Sequence, residues 1–486
     1  MPNDVQLSFL QWLAIEDAER ASHYVVYREM YDGDHNTQLT SRQRAYLSLK
    51  MGEEFNSNYC PIVVDALAER LNVTGFTTPQ GAGTAGLDEA DPIAGQLWDW
   101  WTLNRMDAVQ SVTHLSSIRD GDGYVITEWD NDLKRPVWSF EPAFDGTEGV
   151  KVHYSKEKRN QIAYASKRWR VEAENPETAG NSRRLNLYYP DRIERYESTD
   201  EHEANWQLIG TDPWVDGLGV SLGVPVSHYK NVDQGYNYGQ SELKNVIPLQ
   251  NALNKTIIDL LATADTCAFP IFVMLGDEPG NQSMAPGMIF YSTTSPGMVE
   301  GEGGVSFTKI PGEDLGPQIA LKDSFVTEIA RVTRTPMSYF QTSGMRPAEG
   351  TLKQEEVGLV ARAKDRQISF GNAWEDAMTM ALKLDNTFGG GSWDTDVQVS
   401  TVWDDPETRN AKDHLEALEI KGRLGIPKVT LWTEMGYNAA EIAAMQQTDE
   451  YQHAQEMQQA ALDGLGAAND DGGNGGPFGG DDEDGD

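Results

Sequence analysis

A single long helical pattern constrains this chain more than any other feature of its sequence. It runs without a proline from Thr351 to about Asp385, and at about 1.5 Å per residue such a helix is on the order of 50 Å long. Ordinary globular helices are shorter. Gly358 and Gly371 lie inside the pattern, where each costs up to about 1 kcal/mol relative to Ala. They indicate either a bend or close packing against a neighbouring element, and the sequence leaves both open.

Two amphipathic helices precede the long pattern. The first lies within 241–264, and the second covers about 318–334. Thr335 precedes a proline, which disfavours helical geometry and ends the second helix. Each helix carries one apolar stripe, which predicts packing against other helices. The predicted packing residues are Leu249, Leu253, Ile257, Leu260, Leu321, Phe325 and Ile329.

The remaining sequence predicts further helices and many short strands. The first 70 residues have helical spacing, whereas 120–235 contains short β-branched and aromatic runs separated by polar turns. Nothing between these runs is long enough for a parallel crossover, so antiparallel pairing is expected. Asp120–Gly123 has the composition of a tight hairpin turn. The expected fold class is α+β.

The chain is strongly acidic. It has 76 Asp and Glu against 39 Lys and Arg, a formal net charge of −37. Affinity for a nucleic-acid backbone comes from neutralising phosphates with Lys and Arg, so such a chain is a poor candidate for gripping nucleic acid. It could still let DNA slide past. Its apolar content lies at the low edge of the globular range, which is enough to build a core.

The cysteines and the N-terminal residues indicate the compartment. Cys60 and Cys267 are the only cysteines, which is too few for a disulfide framework or a Cys-rich zinc site. The N-terminus lacks the pattern of a signal peptide, and no apolar run has the length of a membrane span. We therefore expect a soluble protein of a reducing cytoplasm, with no membrane contact.

Motifs for catalysis fail in their sequence context. Gly81–Gly86 matches G-x-G-x-x-G, but no strand leads directly into it and no helix follows at once. Ser221 lies in a G-x-S-x-G match, yet an extended segment rather than a helix follows. The histidines have no metal-ligand spacing, so we expect no metal. Because the other motifs fail in their context, we also expect no catalytic residue and no cofactor. A dinucleotide-binding enzyme or a serine hydrolase remains the alternative reading.

The order of several segments resembles the portal proteins of long-tailed bacteriophages. The N-terminal match is Tyr31–His35 followed by Asn58–Phe76. Gly239–Leu243 and Leu249–Thr256 resemble the start of the portal stem helix. The segment from Thr335 through Lys364–Gln367 to Phe370–Trp374 resembles the passage into the long spine helix. Another virion head-assembly protein is a further alternative.

The resemblance implies a portal-type α+β fold with named parts. These are a mixed α/β wing (1–240, with a return strand at 389–405), two stem helices (241–264 and 318–334), a clip between them (265–317), a tunnel loop (338–350), a spine helix (351–388), a helical crown (406–447) and an acidic Gly-rich tail (448–486). The tail has too few apolar residues to offset its ordering entropy and is expected to be disordered.

The resemblance also implies partners and location. It implies a homo-oligomeric ring, usually of twelve copies, at one capsid vertex of the virion, assembled in the host cytoplasm. Double-stranded DNA would pass through it without sequence specificity. The terminase large subunit, the scaffold or major capsid protein and a head–tail adaptor would bind it. The residues implied to project towards DNA are Ser343, Gly344, Met345, Arg346, Pro347, Ala348 and Glu349. Arg346 could contact phosphate, or pair with Glu349 or with a neighbouring subunit.

Overall fold

The structure, a computed structural model, describes most of the chain. The described residues are 8–35, 40–50, 57–79, 91–158, 161–171, 182–198, 206–267, 271–275, 289–292, 306–310, 314–340, 349–407 and 411–424, with a few single residues between 426 and 445. They combine helices and sheets, which confirms the mixed fold class.

Helices occupy the N-terminal part, as predicted. They are α1 (Phe9–Ala18), α2 (Ala21–Asp32), α3 (Ser41–Lys50), α4 (Cys60–Ala68), α5 (Pro92–Leu103) and α6 (Met106–Asp120). Ser8 and Gln11 form a reciprocal capping box that starts α1. Asp91 caps α5 by accepting hydrogen bonds from the backbone of Ile93 and Ala94.

Antiparallel pairing dominates the strands that follow, also as predicted. The strands are β2 (Asp122–Asp130), β3 (Arg135–Pro142), β4 (Gly149–Tyr154), β5 (Ile162–Val171), β6 (Ser182–Tyr188), β7 (Arg192–Ser198), β8 (Gln207–Pro213) and β9 (Val226–Lys230). One sheet has the order β3-β2-β9 and a second has the order β4-β5-β6-β7-β8. Every strand pair in these two sheets is antiparallel.

The connection at Asp120–Gly123 differs from the prediction of a hairpin turn. It joins the end of α6 to the start of β2. Gly121 adopts φ of +100° at the helix end, and a Cβ there would come within 2.8 Å of the backbone nitrogen of Ser241. The left-handed backbone conformation and the lack of space for a Cβ therefore both require glycine at this position. The sequence correctly predicted a turn, but this turn ends a helix instead of joining two strands.

Two antiparallel helices are separated in sequence by a small sheet. Helix α7 covers Ile247–Cys267 and α8 covers Gly316–Thr333, and the two pack against each other. Three short strands lie between them in sequence: β10 (Ile271–Leu275), β11 (Ile289–Ser292) and β12 (Ser306–Ile310). Within the predicted segment 241–264 the regular helix begins only at Ile247, because residues 242–246 form turns and the backbone of Glu242 bonds to the Ile118 carbonyl at the end of α6.

The long helix is present. Helix α9 runs from Glu349 to Leu384, which agrees with the helical pattern predicted to end at about Asp385, and it continues into a π-helical turn at Asp385–Gly389. It lies against β2, β9 and β13 (Ser400–Trp403). Strand β13 pairs with β1 (Val73–Thr77), a short strand that the sequence analysis did not predict. Helix α10 covers Ala411–Arg423.

Aromatic and aliphatic side chains from distant segments form the main core. Trp101 of α5, Trp374 of α9 and Tyr229 of β9 are fully buried, and the ring centroids of Trp101 and Trp374 are 4.9 Å apart. This core includes residues from α2 to α9, and the long helix contributes more buried side chains to it than any other helix. A second cluster lies between the sheet β3-β2-β9, the five-stranded sheet and the end of α9.

Candidate functional site: the junction of the long helix and the helical pair

Four segments of the chain meet at one buried polar cluster, which we call the junction. Its residues are Asn231 after β9, Glu242 before α7, Thr333 at the end of α8, and Arg362 and Arg366 on α9. All five side chains are buried or nearly so. The junction lies where the end of β9, the helical pair α7–α8 and the long helix α9 come together.

Glu242 binds both arginines of the long helix. Its Oε2 lies 2.7 Å from Nη2 of Arg362, and its Oε1 accepts a hydrogen bond from Nη2 of Arg366. Burial lowers the pKa of the Arg362 guanidinium, while the charge of Glu242 opposes that shift. Arginine stays protonated in proteins, so each guanidinium needs this carboxylate as a buried counter-charge.

The arginines also reach the neighbouring backbone and side chains. Arg362 donates from Nη1 to the carbonyl of Thr333, which is the last residue of α8. Arg366 donates from Nε to Oδ1 of Asn231 at 2.8 Å. Asn231 in turn donates to the carbonyl of Gln240 at 2.7 Å. Two positions on α9 thus hold the entry to α7 and the exit from α8.

The predicted packing residues of the helical pair divide into two groups. Leu253 and Ile329 are fully buried in the main core, and Leu249, Ile257 and Phe325 pack against it. Leu260 is half-buried, whereas Leu321 is 49% exposed. The apolar side chains of the two helices are therefore buried in the core near the junction and become exposed along the outer half of the pair.

The predicted DNA-facing loop lies largely outside the described residues. Ser343, Gly344, Met345, Arg346, Pro347 and Ala348 are not described, and Glu349 is the first residue of α9. The described residues on either side are Thr335–Phe340 and α9. Arg362 contacts the carbonyl of Thr333, so the junction holds the described chain on both sides of this loop.

Within the part of the chain that the structure describes, the hydroxyl of Ser221 contacts backbone groups rather than a histidine or a carboxylate. Ser221 donates from Oγ to the carbonyl of Pro190 at 2.6 Å. His228 is buried between Asp122 and Tyr154, with its Nε2 2.9 Å from the Asp122 carboxylate and its Nδ1 2.7 Å from the Tyr154 hydroxyl. The glycines of Gly81–Gly86 lie outside the described residues.

Sequence reasoning missed the junction. Arg362 and Arg366 are four residues apart, so they occupy one face of α9. Leu359, Ala363 and Phe370 lie on the same face, and two cations on a largely apolar helix face would have indicated an acidic partner. The identity of that partner was not readable, because Glu242 is more than one hundred residues away in sequence.

Among the described residues, no group of three or more His, Cys, Asp or Glu side chains is arranged to hold a metal ion. None of the described helices combines the length and the apolar character needed to cross a membrane.

Comparison with known proteins identifies the family. The family model described as "Phage portal protein, SPP1 Gp6-like" matches residues 10–460. The chain is 25% identical over 417 residues to the portal protein of Mycobacterium phage L5, covering 82% of this chain and 79% of the relative. It is 24% identical to the portal protein of Mycobacterium phage D29 with the same coverage. The resemblance predicted from segment order is thereby confirmed, and the chain belongs to the SPP1 Gp6-like family of phage portal proteins.

Proposed function

We propose that this chain forms a ring of twelve copies that conducts double-stranded DNA into and out of the capsid. As a member of the phage portal family, it is a structural protein of the virion capsid and part of an oligomeric ring through which DNA is packaged. The copy number, the docking partners and the assignment of parts are the proposal.

The proposed parts follow the described elements. Helices α1–α6 and strands β1–β9 with β13 form the wing, α7 and α8 form the stem, β10–β12 belong to the clip, α9 is the spine, and α10 begins the crown. The clip binds the terminase large subunit during packaging and the head–tail adaptor afterwards. The wing contacts the scaffold or major capsid protein. The subunits assemble in the host cytoplasm, and the chain has no catalytic activity of its own.

The main observation in support of a ring is that the outer half of the proposed stem leaves apolar side chains exposed. Helices α7 and α8 enter the main core only near the junction. Farther out, Ile319 and Leu321 are 45% and 49% exposed on α8. A two-helix hairpin cannot bury apolar residues on its outer surface by itself. Stems of neighbouring copies packed side by side would bury them, and a central channel would remain.

The proposed DNA contact is the loop before the spine. Ser343–Glu349 carries one cation, Arg346, and one acid, Glu349. An acidic protein with few cations near DNA binds the phosphates weakly, and salt confines the repulsion to about 10 Å. Such a channel holds DNA loosely enough for it to slide.

The oligomeric state of the purified chain is the direct test. We expect particles of twelve copies of the 53.9 kDa chain by mass photometry, and rings with a central hole by negative-stain microscopy. A chain that stays monomeric at micromolar concentration, or that forms solid particles, would contradict the proposal.

Deletion of Gly344–Glu349 tests the loop separately. We expect ring assembly to be unchanged, because the loop is not part of the stem or the wing. DNA packaging, or retention of packaged DNA, should fall severalfold in a nuclease-protection assay. If protected DNA matches that of the full-length chain, the loop has no role in the passage of DNA.

A further inference from the structure

The residue directly after helix α8 is an arginine in a backbone conformation that favours glycine. Arg334 has φ of +51° and ψ of +32°. This left-handed region is unfavourable for a residue with a Cβ, and glycine is the usual residue at this position after a helix. Strained backbone of this kind is concentrated at functional sites. The reason for an arginine at residue 334 therefore lies in its side chain.

The long helix leaves room for the same arginine. A Cβ on Gly358 of α9 would lie 3.2 Å from the Cβ of Arg334 and 3.5 Å from its carbonyl oxygen. Glycine inside a helix is unfavourable, yet at this position it lets the end of α8 approach α9 closely. Two locally unfavourable residues, Arg334 and Gly358, thus meet at one point of the fold.

The backbone around Arg334 is held on both sides. Arg362 donates to the carbonyl of Thr333, and the backbone N–H of Thr335 donates to the carbonyl of Ala330 at 3.1 Å. Thr333 and Thr335 are buried, whereas Arg334 between them is exposed. The Arg334 side chain therefore reaches solvent from a fixed backbone.

The charge of Arg334 is not neutralised by the described part of the chain. No carboxylate there lies within ion-pair distance of its guanidinium. Burial lowers the pKa of Arg362, and the positive charges of Arg366 and Arg334 lower it further. Glu242 is the counter-charge of Arg362 and Arg366. The cluster of Arg334, Arg362, Arg366 and Glu242 therefore has a net positive charge.

The sequence around Arg334 is also unusual for this chain. Residues 329–348 contain three arginines and no Asp or Glu, although about one residue in six of the whole chain is acidic. Arg331 is 74% exposed, and its Nη1 lies 3.7 Å from Oε2 of Glu328. Salt screens charges beyond about 10 Å, so local charges rather than the net charge of the chain determine what Arg334 attracts.

We propose that Arg334 contacts a phosphate of the DNA that passes through the ring. A guanidinium binds phosphate through two parallel hydrogen bonds. Arg334 begins the connection from α8 to Ser343–Glu349, so it would lie at the base of the loop proposed to meet DNA. Such contacts carry no sequence information. The inference rests on the proposed function, and it adds a residue outside the loop to the DNA contact.

The other anion that could approach is a carboxylate of a neighbouring copy. A single ion pair does not require that acids be absent over a whole segment. A polyanion does, because each nearby acid would repel its phosphates. The acid-free sequence of 329–348 therefore favours DNA.

A threading assay detects DNA inside the ring. A linear duplex can enter the channel by its end, whereas a closed circle of the same sequence cannot. We expect purified wild-type rings to bind the labelled linear duplex more tightly than the circle at low salt, as measured by fluorescence correlation spectroscopy. The difference between the two DNAs reports on the channel.

Substitutions of Arg334 should remove this difference. Arg334→Gln should weaken binding of the linear duplex at least about tenfold, because every copy in the ring loses the same cation, and the dependence of binding on salt should become shallower. Binding of the circle should not change. Arg334→Lys keeps the charge and should retain most of the binding. Arg423→Gln is the matched control, because Arg423 is 73% exposed on α10 and should bind both DNAs as the wild type does.

Arg334→Gly separates a role in DNA contact from a role in folding. Glycine relieves the backbone strain and removes the cation. The variant should therefore keep or raise its unfolding midpoint while it loses binding of the linear duplex. An arginine with only a structural role would give the opposite result, a lower midpoint with unchanged binding.

Other outcomes also overturn the inference. If the Gln and Gly variants bind the linear duplex as the wild type does, Arg334 does not contact DNA, and the conduit proposal stands. If binding of linear and circular DNA falls equally, Arg334 lies on the outside of the ring. If Arg334→Gln stays monomeric and Arg334→Lys forms rings, Arg334 pairs with a carboxylate of a neighbouring copy. If the wild type forms no ring, or its rings do not distinguish the two DNAs, the proposed function itself fails.

Discussion

His114 is a neutral histidine enclosed in the main core. Trp374 donates from Nε1 to Nε2 of His114 at 3.0 Å, and Nδ1 lies 3.1 Å from the carbonyl of Leu71. The ring therefore accepts at Nε2 and donates at Nδ1. Phe370 stacks on it with ring centroids 5.4 Å apart. Protonation at Nε2 would place its N–H against the Nε1–H of Trp374. Burial also disfavours the charged ring and lowers the pKa of His114 to about 4.

This histidine should destabilise the subunit in acid. Its pKa is about 6.5 in the unfolded chain, so the unfolded state binds more protons as the pH falls from about 6.5 to about 4. The stabilisation that depends on a neutral His114 is complete above about pH 6.5 and is lost below about pH 4. One pKa unit corresponds to about 1.4 kcal/mol, so the loss is about 3 kcal/mol.

Denaturant unfolding at several pH values measures this effect. His114→Gln cannot take up the proton but can still accept from Trp374. We expect the variant to be less stable at pH 7 and to lose about 3 kcal/mol less than the wild type between pH 6.5 and 4. Parallel pH profiles for the two chains would show that His114 does not titrate in this window.

Individual buried polar contacts were beyond sequence reasoning. Asp17 bonds to His153, and Asp122 bonds to His228, over more than one hundred residues of sequence. Each acid and each histidine is unremarkable in its own segment. Only the pairing of distant strands and helices brings these residues together. The lack of an Asp-His pattern within any one segment therefore could not predict whether such contacts form.

Among the secondary-structure elements, α7 and α9 are linked by Glu242, which lies just before α7 and binds two arginines of α9. Glu242→Gln leaves Arg362 and Arg366 without their buried counter-charge, and breaking such a pair costs roughly 3–5 kcal/mol. We expect the free energy of unfolding to fall by about that amount. Hydrogen exchange should increase in residues 240–250, because their link to α9 is weakened.

A neighbouring ion pair on the same helix provides the control. Lys364 pairs with Glu407 at 2.9 Å, and both side chains are about half exposed. Exposed pairs contribute about 1 kcal/mol or less, so Lys364→Gln should change stability little. Equal losses in the two variants would show that the junction is no stronger than a surface pair.

The glycines of the long helix illustrate what periodicity can predict. It predicted the helix but left open whether Gly358 and Gly371 mark a bend or a close approach. In the structure a Cβ on Gly358 would lie 3.2 Å from Cβ of Arg334, and one on Gly371 would lie 3.3 Å from Nε1 of Trp403. Both glycines therefore admit close packing of neighbouring elements, and those neighbours are distant in sequence.

At the scale of the whole molecule, net charge opposes assembly. Each copy carries −37, and a ring brings many such copies together. Added salt shortens the screening length from about 30 Å at 0.01 M to about 8 Å at 0.15 M. We therefore expect the ring fraction, measured by sedimentation velocity, to rise as NaCl increases over this range. Rings that dissociate as salt increases would instead indicate that ion pairs between copies hold them together.

The sequence was most informative about the order of parts and least informative about their contacts. Segment order indicated the family, and helical spacing located α7, α8 and α9 within a few residues. Strand β1 was missed because five residues, Val73–Thr77, carry too little pattern to be distinguished from a loop. Its partner β13 lies at the other end of the described fold.

The pairing of β1 with β13 has a consequence for synthesis on the ribosome. Val73–Thr77 is translated more than three hundred residues before Ser400–Trp403. Strand β1 therefore cannot pair with β13 until most of the polypeptide has emerged from the ribosome. During that interval an apolar strand edge is uncovered. Nascent subunits should therefore depend on chaperones, and any truncation upstream of residue 400 should yield aggregates rather than a shorter folded subunit.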